Sequence, residues 1–116
     1  MSIQRIGCGP RMSNAVVHGN TVYLAGRVAT SAKGGSVTEQ TKDILAQIDE
    51  TLAEAGTDKT KILSTTIYLS DIKTFAEMNA VWDGWVAQGN TPARATVEAK
   101  LAHPDFTVEI VVVAAR

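Results

Sequence analysis

The chain has 116 residues, 45% apolar and 20% charged, which predicts one globular domain spanning residues 1–116 with a modest core. Eleven Lys and Arg against twelve Asp and Glu give a formal charge of -1, so the bulk attraction of a basic protein to nucleic acid or an anionic membrane is missing. A lone cysteine, Cys8, excludes an intrachain disulfide, MSIQRIGCGPRMS lacks the apolar core of a signal peptide, and the apolar run from Ile110 to Ala115 is far short of the roughly 20 residues of a membrane span, which together predict a reduced, cytoplasmic protein.

Asn14 to His18 and Thr21 to Val28 are rich in β-branched residues, and His18-Gly19-Asn20 between them supplies a hairpin turn. Val22, Leu24 and Val28 fall on one side of the second strand, Thr21, Tyr23 and Arg27 on the other. Gly26 interrupts the strand, which marks a bulge or a close approach by backbone or ligand. Ser36 followed by Glu39 is a capping box, and Ile44, Leu45, Ile48 and Leu52 then form one apolar stripe of a helix that Gly56 stops. Ile62 to Leu69 reads as the third strand. Ser70 or Asp71 can cap a second helix, with Phe75, Met78, Trp82 and Trp85 three or four apart and Gly89, Asn90 and Pro92 marking its end. Arg94 to Leu101 alternates as a strand. Thr107 to Ala115 is apolar on both faces apart from Glu109, which predicts a central strand. The order predicts an α+β fold with a mixed sheet and both helices on one face. The other face is left bare, and association with copies of the same chain would shield it.

Period two sorts the penultimate strand into Ala95, Val97, Ala99 and Leu101 on one face and Arg94, Thr96, Glu98 and Lys100 on the other. Arg94, just after the Asn90-Thr91-Pro92 turn, offers a planar fork suited to a carboxylate; the alternative is a surface arginine paired with a neighbouring acid. Glu109 is a costly charge in an apolar strand unless partnered or facing a wet cleft. It is a candidate general acid/base, against the alternative of a salt bridge to Arg94 or Lys100. Cys8 between two glycines has no nearby histidine to activate it and reads as a packed small side chain. His18 and His103 lack the spacing of a metal pair, Trp82 and Trp85 read as packing, and no phosphate loop or dinucleotide fingerprint is present. No metal or cofactor is therefore assigned.

Thr91-Pro92-Ala93-Arg94-Ala95-Thr96-Val97-Glu98, followed by Leu101, Pro104-Asp105 and Val108-Glu109-Ile110, resembles the signature block of the Rid (YjgF, reactive intermediate deaminase) family. Val22-Tyr23-Leu24-Ala25-Gly26-Arg27-Val28 is similar to the family's strand ending in glycine, and Phe75-Ala76-Glu77-Met78-Asn79 with Trp82 to its second helix. The resemblance spans essentially the whole chain. It implies a chorismate-mutase-like α+β fold assembled as a homotrimer with ligand clefts between subunits. It also implies hydrolysis of reactive enamines and imines, such as 2-aminoacrylate or 2-iminobutyrate, to 2-keto acids and ammonia without a cofactor. On this resemblance Arg94 clamps the substrate carboxylate, Gly26 lines the cleft and Glu109 positions the attacking water. Three cleft positions depart from well-studied members: Met12 of Arg11-Met12-Ser13 stands where they have tyrosine, Ala25 where they have serine, and Thr96 where they often have cysteine. Arg11 would add a second cation. The alternative reading is a non-catalytic trimer that binds a small carboxylate such as a keto acid. Endoribonuclease activity has also been attached to the family, but a net charge of -1 and no basic aromatic strip give it little physical backing.

Overall fold

The computed structural model describes residues Met1–Arg116. Its elements are β1 (Ile3–Ile6), β2 (Ala15–His18), β3 (Thr21–Leu24), α1 (Val37–Glu54), β4 (Ile62–Leu69), α2 (Phe75–Trp85), β5 (Ala93–Glu98) and β6 (Val108–Ala115), with single 3-10 turns before β4 and α2. The six strands form one sheet in the order β1-β2-β3-β6-β4-β5. Only β4 and β5 pair in parallel, and the antiparallel partners of β6 are β3 on one side and β4 on the other. The expected mixed α+β sheet is therefore present, with β6 in its interior as its two apolar faces predict.

Helix α1 starts where the sequence places it. Ser36 accepts from the Glu39 amide while the Glu39 carboxylate accepts from the Ser36 amide, closing the capping box. It ends on Gly56 at φ 80°, with Gly56 N–H donating to Ala53 O and Thr57 N–H to Leu52 O, the paired bonds of a Schellman motif. The stripe Ile44, Leu45, Ile48 and Leu52 is buried against Ile67, Leu69, Val108, Ile110 and Val112 of the sheet and Met78 and Trp82 of α2. Each such aliphatic side chain taken out of water contributes on the order of 1.5–3 kcal/mol. Buried Gln40 closes this layer at one end: its Nε2 donates to Gly35 O and Asp105 O, and its Oε1 accepts from Thr107 N–H.

The opposite sheet face has no cover. Tyr23 and Val97 on it are half exposed, and Glu109, Val111 and Val113 alternate with the fully buried core positions of β6.

Five expectations are corrected. The N-terminal segment contributes an additional strand, β1, whose Ile3 and Ile6 point to opposite faces and so give no apolar alternation; backbone pairing with β2 holds it. The second strand ends at Leu24 rather than Val28. The chain breaks at Ala25-Gly26 and touches the sheet again only through the Arg27–Ile110 bridge. The break shifts the side-chain period, so Arg27 donates from Nη2 to Thr51 of α1 instead of lying with Tyr23 on the bare face. Strand β5 ends at Glu98, not Leu101, because its one partner, β4, runs out at Leu69. Asp71 caps the 3-10 turn that precedes α2, accepting from the Lys73 amide, and α2 closes at Trp85, before the predicted Gly89 stop. Cys8, expected to be packed, is exposed. No helix is long and apolar enough to cross a membrane.

Candidate functional site

The predicted site residues fall into two groups on opposite faces of the sheet. The strand register shows the division. Arg94 is paired with Thr65, whose side chain is buried on the helix side, whereas Glu109 is paired with Tyr68 on the bare side.

The first group is Glu109, Gly26 and Ala25. A Cβ built on Gly26 would sit 2.5 Å from Glu109 Oε2 and 3.4 Å from Val111 Cγ2. Gly26 does not have a positive φ, so what glycine accommodates here is the close approach of the carboxylate and not a special backbone conformation. The position of Gly26 is fixed from behind by α1. Asp43, Gln47 and Thr51 are spaced four apart on the helix and meet the chain that follows the glycine in reverse order. Thr51 accepts from Arg27, Gln47 Nε2 donates to Val28 O at 3.0 Å, and Asp43 Oδ2 accepts from Thr30 N–H at 2.7 Å and Ala32 N–H at 3.0 Å. Burial pushes the Asp43 carboxyl up, but the Ala32 amide, the Gln47 side chain and Thr30 together hold it below its ordinary value. Ala25 N–H donates to Asn14 O, which ties the glycine to the end of the β1–β2 loop that carries Arg11 and Met12. Both of those side chains are exposed. Glu109 has no ionic partner: the one ion pair in the structure is His103–Asp105 at 3.7 Å, so neither expected bridge, to Arg94 or to Lys100, is formed. The carboxylate borders a concavity of about 270 Å³ with Tyr68, Val111 and the segment Ala99 to Ala102. A larger one, about 760 Å³, lies against Ser70, Glu98, His103 and Phe106 and contains none of the predicted residues.

The second group is Arg94 and Thr96 on β5, facing α2. Arg94 Nη1 donates to Asn79 Oδ1 at 2.8 Å. Its guanidinium lies 5.3 Å from the Trp82 ring centroid and 5.8 Å from that of Phe75, within cation–π range of both. Thr96 Oγ1 and the adjacent Thr65 Oγ1 are buried without a hydrogen-bond partner. From the sequence, Phe75, Met78, Trp82 and Trp85 read as one apolar stripe and the tryptophans as packing, which misses Asn79; an amide four residues after Phe75 and three before Trp82 is the signal that could have found it.

The architecture defines a small α+β protein whose charged residues open on a sheet face and at a sheet edge, with no acid neutralising the arginine. Residues 3–116 match the family described as Endoribonuclease L-PSP. A RutC family protein of Haemophilus influenzae is 46% identical over 114 residues, covering 98% of each chain. A solved member of the YjgF protein family from Neisseria meningitidis is 49% identical and superposes with a TM-score of 0.97, over 100% of this chain and 96% of that one. The 2-iminobutanoate/2-iminopropanoate deaminase of Rattus norvegicus is 32% identical over 107 residues, 88% of this chain and 77% of its own. The chain belongs to the YjgF/Rid family, as the signature block around Arg94 led us to expect.

Proposed function

We propose that the protein hydrolyses small 2-imino acids to 2-keto acids and ammonia, in clefts assembled between the subunits of a homotrimer. The observation that carries this reading is the arginine: Arg94 lies within cation–π range of two rings and donates to one neutral acceptor, and no carboxylate of the chain neutralises it. Such a fork is built for a carboxylate that arrives from outside. The rat relative named as a deaminase supports the same reaction class.

A site made only from one chain would leave Arg94 and Glu109 on opposite sides of the sheet. Packing the bare face of one subunit against the β5 edge of the next brings the arginine of one to the glutamate of the other, and covers Tyr23, Val97 and Val111 as well. The imine carbon is already electrophilic, so the protein has three tasks: to hold the carboxylate, to place a water and to move a proton. Arg94 performs the first. Glu109 accepts a proton from water as the water oxygen bonds to the imine carbon, and passes that proton to the imine nitrogen to give a carbinolamine. Glu109 then takes the carbinolamine hydroxyl proton as the carbonyl forms and delivers it to the nitrogen as the carbon–nitrogen bond breaks, releasing ammonia and leaving the keto acid. Gly26 gives the carboxylate room to reach the cleft, and Ala25, Thr96, Met12 and Arg11 line it. The net reaction consumes one water and needs no cofactor or metal, and the one exposed thiol suits a reducing cytoplasm.

The test generates 2-iminobutyrate in place with an amino-acid dehydratase and follows keto-acid release. The wild type should accelerate hydrolysis, Arg94→Ala should abolish the acceleration, and Arg94→Lys should lose most of it because a point charge cannot reproduce the fork. No acceleration by the wild type across several imines, with 2-keto acid binding retained, would identify a carboxylate-binding protein without catalysis.

A further inference from the structure

Arg94 lies where acids are near in sequence and in register, yet none reaches it. Glu98 shares its strand face, but the Glu98 carboxylate accepts from the Ile72 amide at 3.0 Å. Glu77 lies two residues from Asn79 on α2, and its carboxylate accepts from both the amide and the hydroxyl of Thr38. What does meet the guanidinium is the Asn79 amide, and only the carbonyl end of that amide can accept from a donor. Phe75, Asn79 and Trp82 follow at i, i+4 and i+7, so one face of α2 supplies a ring, a neutral acceptor and a second ring to the same cation. An aspartate of the same shape would accept the same hydrogen bond. It would also neutralise the cation and compete with an incoming carboxylate.

We infer that Asn79 is a positioning residue of the clamp, fixing the Arg94 guanidinium through a neutral acceptor so that its charge and its remaining N–H donors stay free for the substrate carboxylate. This rests on the reading of Arg94 as a carboxylate clamp. Asn79 contributes direction without charge, and the two rings contribute cation–π contact.

Calorimetric titration of 2-oxobutyrate and of its neutral amide into the wild type, Asn79→Asp and Asn79→Ala tests the inference, alongside kcat and KM for the imine and the thermal midpoint of each protein. Asn79→Asp should bind 2-oxobutyrate about tenfold more weakly or worse, with the loss in KM rather than kcat. Its midpoint should stay at or above that of the wild type, because the variant gains an ion pair. Asn79→Ala should bind more weakly than the wild type but better than Asn79→Asp, and the neutral amide should bind all three alike. Equal affinity of the wild type and Asn79→Asp for 2-oxobutyrate overturns the inference, as does an equal loss for the neutral amide, or an alanine variant that binds worse than the aspartate variant. If Asn79→Asp does not fold, Asn79→Ala decides: a loss confined to the charged ligand supports the inference, and unchanged affinity overturns it. A wild type that binds no 2-oxo acid at all refutes instead the reading of Arg94 as the clamp.

Discussion

Replacing Gly26 by alanine adds one carbon at a place where the structure leaves it no room. The new Cβ would lie 2.5 Å from Glu109 Oε2 and 3.2 Å from its Cδ. A carbon and an oxygen settle no closer than about 3.3 Å, so the carboxylate must withdraw by about 0.8 Å. The oxygen is the far end of a flexible side chain, and Gly26 does not have a positive φ. The substitution should therefore leave folding nearly untouched, within about 0.5 kcal/mol. Catalysis is more sensitive, since a misplacement near 1 Å costs on the order of 100-fold. The expected outcome is an imine-hydrolysis kcat/KM about 100-fold below the wild type, with 2-oxobutyrate still bound. Denaturant unfolding and the coupled dehydratase assay read the two quantities separately. A variant with full stability and activity within about threefold of the wild type would refute the claim that the carboxylate's position against Gly26 matters to the reaction.

Two further predictions concern the scaffold that holds the site. Gln40→Ala removes three hydrogen bonds, two to the chain on either side of Phe106 and one to Gly35 just before α1, leaving the Gly35 and Asp105 carbonyls and the Thr107 amide without that partner. It should cost roughly 3 kcal/mol in urea unfolding, and a loss below about 1 kcal/mol would show that water replaces the side chain at little expense. Asp43→Ala releases the segment from Thr30 to Ala32. Because the folded carboxyl is held below its ordinary value, the stability it contributes is present above about pH 4 and is lost as pH falls through that range towards the folded-state value. The variant should be less stable than the wild type at pH 7, with the gap narrowing below about pH 4; a gap of the same size at about pH 3 would contradict this.

The parts of the fold that the sequence makes legible are those in which local chemistry and burial agree. Ser36 and Glu39 name the start of α1, Gly56 its end, and the two apolar faces of β6 its place inside the sheet. Strand limits are less legible, because they depend on partners. Nothing within Lys100-Leu101 says that β4 will stop at Leu69 and leave β5 unpaired, and Ile3 and Ile6 do not alternate, so β1 is visible only once β2 lies beside it. Gly26 was readable as a close approach, but not what approaches: Glu109 is 83 positions away and reaches it across the β3–β6 border. The same holds for Arg94. Its strand face follows from period two, whereas Asn79 and the two rings meet it only because α2 crosses back over β5. What remained outside local reading is the separation of Arg94 from Glu109. Alternation assigns side chains to faces within a strand, but the face shared by two strands follows from the register of the sheet.

That separation supplies the most direct test of a site shared between subunits. Arg94→Ala and Glu109→Gln proteins, each inactive alone, are mixed, unfolded and refolded together, and assayed for imine hydrolysis. If each cleft takes its arginine from one chain and its glutamate from the next, random reassembly restores both residues in about a quarter of the clefts, and activity should return to about that fraction of the wild type. No recovery, in mixtures shown to contain hybrid oligomers, would contradict the assignment of Arg94 and Glu109 to one shared site.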